Sequence, residues 1–140
     1  MIRILFITTA IFLLSATSNA EVVKDIQING NKRVSDETIK IYGKIQLNKD
    51  VSEKDLNNIL TNLYSTNFFE DVNINLVNGV LKIDLLEYPT INNLILIGEP
   101  SNKYKEQIRD VLQLKEKDSF IKSKLKSDAN IIRQLYSSLG

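Results

Sequence analysis

The chain has 140 residues, 18 of them basic and 17 acidic, with neither cysteine nor histidine. Those two absences exclude disulfide staples, Cys–His zinc sites and histidine-based catalytic triads within these residues, so the fold must rest on an apolar core. Charge near balance argues against a nucleic-acid surface, which needs clustered cations; the lysines at 115, 117, 122, 124 and 126 are interrupted by Glu116 and Asp118 and read as a solvated face.

The first 20 residues have the layout of a secretory signal peptide. Arg3 and the amino terminus supply positive charge, Ile4 to Leu14 is almost wholly apolar, and Ser18-Asn19-Ala20 ends in small residues. Cleavage is expected between Ala20 and Glu21. Without Arg3, the mature part retains 17 basic against 17 acidic residues.

Beyond the cleavage point, Val22 to Ile28 reads as a strand, with Ile26 and Ile28 on one face, ended by Asn29-Gly30-Asn31. Ser35 is a helix N-cap, Asp36 and Glu37 suit a first turn, and the short helix presents Thr38, Ile39 and Tyr42 before Gly43 ends it. Ser52 caps a longer helix on which Leu56, Ile59, Leu60, Leu63 and Tyr64 form one apolar stripe, and Asn67 follows at a left-handed cap. The period then changes to two. Val72, Ile74 and Leu76 alternate with Asn73 and Asn75, and Asn78-Gly79 joins this run to Leu81, Ile83 and Leu85, which is the signature of a type I′ hairpin. Tyr88-Pro89 closes the unit.

A second unit repeats the plan. Leu94 to Ile97 reads as its first strand, ending at Gly98 as the earlier one ends at Gly30. Pro100-Ser101 opens a helix carrying Tyr104, Ile108, Val111 and Leu112; after a loop over Lys115 to Asp118, a longer helix carries Ile121, Leu125, Ala129, Ile132, Tyr136 and Leu139, with Gly140 as its C-cap. Leu63-Tyr64-Ser65 and Leu135-Tyr136-Ser137 occupy equivalent places, although the caps fall one residue out of step. The second unit lacks a hairpin, so its helices are expected to be left partly uncovered and the chain to be a fragment of a string of modules. The fold class is α+β, β-α-α-β-β with two helices on one face of a three-stranded sheet.

This plan, behind a signal peptide, resembles the POTRA domains of BamA-type outer-membrane assembly factors. The resemblance rests on Val23-Lys24-Asp25-Ile26 with Gly30-Asn31-Lys32-Arg33-Val34, on Phe68-Phe69-Glu70-Asp71-Val72, and on Glu87-Tyr88-Pro89-Thr90-Ile91. One position departs: Asn67 stands where the family often has glycine. The resemblance implies tandem POTRA modules, residues 21–88 for the first and 89–140 for a second truncated before its hairpin. It further implies a periplasmic location as part of an outer-membrane protein, with three kinds of partner: unfolded outer-membrane protein precursors, accessory assembly lipoproteins, and the protein's own C-terminal β-barrel, which these residues do not include. Two related settings share the module: the POTRA region of a two-partner secretion transporter, and that of an inner-membrane cell-division protein.

A sheet of three strands has two open edges, and an extended client can add a strand there. The candidate edge is Phe69 to Val77, with Phe69, Val72, Asn73, Ile74, Asn75 and Leu76 as the candidate client-binding residues. By analogy with POTRA topology the strand from Leu81 to Glu87 is central. At least one ring of Phe68-Phe69 is expected to fill the gap between helix and hairpin. Arg33 is left with two candidate partners, a nearby acid or a binding partner. No carboxylates converge as acid–base catalysis requires, so no catalytic residue, cofactor or metal is assigned.

Overall fold

The computed structural model describes residues 20–138. Most of the expected signal segment, together with Leu139 and the cap expected at Gly140, lies outside the described residues. The elements in order are β1 (Glu21–Val22), β2 (Asp25–Asn29), α1 (Asp36–Gly43), β3 (Asp50–Val51), α2 (Glu53–Ser65), β4 (Phe69–Val77), β5 (Val80–Glu87), α3 (Asn102–Val111) and α4 (Lys122–Ser138).

The first strand divides where the sequence suggests one run. Val22 and Glu21 pair with β3, and Val23, fully buried, continues the exchange through its N–H to Lys49 O at 3.0 Å. The N–H groups of Lys24 and Asp25 then both reach Gly79 O, and β2 runs parallel to β5. Burying Val23 costs the strand its continuity: its two halves face different partners.

Both helices start as the sequence dictates. Ser35 Oγ accepts the Thr38 N–H, and Ser52 and Asp55 form a capping box. The end of α1 differs. Lys44, not Gly43, takes the left-handed conformation (φ 55°), and Gly43 is needed for contact instead, since a Cβ there would lie 2.8 Å from Ile45 Cδ1. Asn67 has the expected positive φ of 58°.

Asn78 and Gly79, at φ 54° and 81°, make the type I′ turn between β4 and β5. The sheet order is β2-β5-β4, so β5 is central and β2 and β4 are edges. Leu81, Ile83 and Leu85 on β5, with Val72 on β4, pack under α1 and α2 against Ile39, Ile59 and Leu63. Phe69 is buried and Phe68 half-buried, its ring edge-on to Tyr42 at 5.9 Å. The opposite sheet face is polar, carrying Gln27, Asn29, Asn73, Asn75, Lys82 and Asp84.

The second unit repeats only part of this. Residues 89–91 pair with 117–120 (Phe120 N–H to Pro89 O, 2.7 Å; Lys117 N–H to Ile91 O, 2.8 Å), as β1 pairs with β3 in the first. Ser101 caps α3. Leu94 to Ile97, expected as a strand, is not one: no strand among the described residues lies beside it, and a strand without a ladder leaves its backbone groups to water. Ile95 and Ile97 are exposed. On α4 the buried face also differs from the expected stripe. Leu125, Ala129 and Tyr136 point outward, whereas Asp128 is buried and accepts the N–H groups of Gln113 and Leu114, both at 2.9 Å. Among the described residues, eleven buried apolar side chains form the first unit's core, and only Ile108, Leu112 and Leu114 are buried in the second. The cores therefore differ in kind: one is closed, the other is a seam between two helices.

Candidate functional site

The outer edge of β4 is built by the hairpin. In a two-residue type I′ hairpin the flanking residues, here Val77 and Val80, exchange both hydrogen bonds, and the ladder alternates from there. Val77, Asn75 and Asn73 therefore spend their backbone groups on β5, and Leu76, Ile74 and Val72 turn theirs outward. The side chains of Leu76, Ile74 and Val72 lie on the helix side of the sheet, where a groove between α2 and β4 is lined by Leu56, Asn57, Leu60, Asp71, Val72 and Ile74.

The six candidate residues do not share one role. Asn73 and Asn75 are exposed on the polar face, joined by a side-chain hydrogen bond of 3.3 Å, and Ile74 and Leu76 are half-buried, Ile74 lining the groove. Phe69 and Val72, with 2% and 5% exposure, are core residues whose side chains no client can reach. Between Phe69 and Asp71 the register shifts by a bulge, so the edge bends away there. The straight, open part of this edge is the C-terminal half of β4.

Two features escaped sequence reasoning. One is Tyr64, whose hydroxyl donates to Asp71 Oδ1 (3.1 Å) and accepts the Val72 N–H (3.1 Å), which Asp71 Oδ1 also accepts at 3.0 Å. The helical stripe suggested a core tyrosine, and only the closeness of α2 to the strand edge reveals the contact. The other is Glu87, at the end of β5. Its carboxylate accepts the backbone N–H groups of Lys32, Arg33 and Val34 at 2.9–3.1 Å and the Arg33 Nε at 3.2 Å, and Arg33 also donates to Tyr88 O at 2.9 Å. Arg33 thus takes the nearby acid. Burial pushes the Glu87 carboxyl up, but the donors of Val34, Lys32 and Arg33 and the Arg33 charge outweigh it and hold it below its ordinary value. These bonds tie the end of β5 to the loop between β2 and α1.

Among the described residues no group of three or more Asp or Glu side chains is placed to hold a metal, and no helix is long and apolar enough to cross a membrane.

Comparisons agree with this architecture. Residues 89–140 match the POTRA family model, described as a surface antigen variable number repeat. The chain is 32% identical over 88 residues to the outer membrane protein assembly factor BamA of Neorickettsia risticii, and 29% identical over 76 residues to that of Neisseria meningitidis. These matches cover 63% and 54% of the chain, which spans only 12% and 10% of the relatives' length. Among solved structures, the N-terminal domain of Omp85 from Thermosynechococcus elongatus superposes with a TM-score of 0.59 at 12% identity, covering 86% of this chain and 52% of that one. POTRA1-2 of Omp85 from Anabaena gives 0.56 at 13% identity, over 89% and 83%. Those two structures show the fold alone. The chain has the POTRA fold, and the sequence relatives it resembles are outer membrane protein assembly factors of the BamA type.

Proposed function

We propose that the chain is the periplasmic POTRA scaffold of an outer-membrane β-barrel assembly factor, with residues 21–88 as a first module and 89–140 as part of a second. It binds unfolded outer-membrane precursors in extended form, and accessory lipoproteins of the same machinery; the barrel that such a scaffold serves lies outside these residues. The supporting observation is the open outer edge of β4, where Ile74 and Leu76 turn their backbone groups outward and Ile74 lines the groove with Leu56 and Leu60. Main-chain pairing tolerates many sequences, and the two faces of the edge add a selectivity of period two: apolar client side chains toward the groove, polar ones beside Asn73 and Asn75. Transmembrane barrel strands alternate in that way.

A photo-reactive residue at position 75, in cells producing the protein, should capture outer-membrane precursors in their unfolded form. The same residue at Ile41, exposed on α1, should not. Equal capture at both positions would remove the case for the β4 edge.

A further inference from the structure

We propose that Tyr64 and Asp71 form a stop on the β4 edge that sets where an added strand ends: it pairs with Leu76 and Ile74 and goes no further than Val72. This rests on the β4 edge being the docking edge. The phase of the hairpin turns Val72's backbone outward, in line with Ile74 and Leu76. Its N–H is nevertheless already taken, by Tyr64 Oη at 3.1 Å and Asp71 Oδ1 at 3.0 Å, and the Tyr64 hydroxyl closes the triangle by donating to the same Asp71 oxygen at 3.1 Å. An arriving strand would have to present a carbonyl oxygen to Val72 beside the Asp71 carboxylate, where two acceptors repel. The bulge between Phe69 and Asp71 turns the edge aside immediately beyond.

Blocking a strand edge with a charge and a bulge is a general guard against unwanted pairing. Here it covers one end and leaves the other open, so it acts as a register device. The ligand that fits is a short extended segment whose apolar side chain opposite Ile74 enters the groove of Leu56 and Leu60. A longer strand gains nothing from its extra residues.

The test is backbone amide NMR of the chain, titrated with two capped peptides of alternating Val and Thr, four and eight residues long. In the unaltered chain both peptides should shift the Ile74 and Leu76 amides, leave Val72 in place, and bind with similar affinity. In the double variant Tyr64→Phe/Asp71→Ala, the Val72 amide should shift as well, and the eight-residue peptide should bind about tenfold tighter, as two added backbone hydrogen bonds imply. The four-residue peptide should be unaffected. If the double variant loses its dispersed spectrum, Asp71→Asn, which removes only the charge, should tighten the longer peptide about threefold. A Val72 shift in the unaltered chain, or no gain by the longer peptide in a folded variant, overturns the stop while leaving edge binding intact. No shift at Ile74 or Leu76 in any form removes edge binding itself.

Discussion

Tyr64 and Tyr136 stand at matching places near the ends of α2 and α4, yet their hydroxyls do different work. Tyr64 lies against the edge of β4 and engages a strand; Tyr136, half-exposed, bonds to Glu99 in the loop before α3. The same contrast runs through the two units. Gly30 and Gly98 both have positive φ, 86° and 90°, but only Gly30 is pressed against another strand, at Leu85 O. Leu63 is fully buried under a sheet, and its counterpart Leu135 is half-buried. One local sequence pattern therefore yields similar caps, turns and helices in both units, while the energetic weight of each residue depends on whether a strand lies beneath it.

Paired substitutions separate these two contributions. Gly30→Ala places a Cβ 2.0 Å from Leu85 O, so it should cost about 2–6 kcal/mol, combining backbone strain with overpacking. Gly98→Ala meets nothing within 4 Å and should show the strain alone, about 1–3 kcal/mol. Equal losses in urea unfolding would mean that the approach of β5 to Gly30 carries no weight. Leu63→Ala should cost about 2–5 kcal/mol, and Leu135→Ala clearly less, because a half-buried site loses fewer contacts and can relax. A denaturation midpoint unmoved by Leu63→Ala would contradict the closed core.

Glu87 gives the comparison a pH axis. Its folded pKa lies below its ordinary unfolded value, so its contribution is fully present above the unfolded value and is lost as pH falls through the folded one. Glu87→Gln should cost about 1–3 kcal/mol at neutral pH and flatten the acid limb of the stability curve. Glu99, whose carboxyl is also held down, by the Tyr136 hydroxyl and the Ser101 N–H, should show the same sign with a smaller loss on Glu99→Gln. An acid limb unchanged by Glu87→Gln would assign it to other carboxylates. The smallest effect is expected at Tyr64→Phe, about 0.5–1.5 kcal/mol for the lost hydroxyl bonds, with a gain in hydrogen exchange at the Val72 amide.

Much of this was legible beforehand because it is local. The capping serines, the left-handed Asn67, the Asn78-Gly79 turn and the stripe through Leu63 all follow from backbone sterics and side-chain period, which a chain carries in its own neighbourhood. The polar face of Asn73 and Asn75 and the central place of the last strand were expected and are seen. The misplacements share one cause. Among the described residues, Leu94 to Ile97 has a strand's composition without a neighbour to pair with, and the outward turn of Leu125 and Tyr136 reflects a helix face with no sheet against it. Phe69 and Val72 belong to the edge strand by position and to the core by packing, a distinction that alternation alone cannot make past a bulge.

The sequence by itself determined the helices, the β4–β5 hairpin and the α+β module, because turn chemistry and hydrophobic period act within a few residues. Only the tertiary structure decided that Glu87 gathers three backbone donors from a loop more than fifty residues away, that Tyr64 seals one end of an edge, and that Gly30 rather than Gly98 bears a contact. The Glu87 and Gly30 contacts join groups more than fifty residues apart, and Tyr64 meets Asp71 and Val72, seven and eight residues on, only because α2 packs beside the edge of β4; such contacts are created by packing.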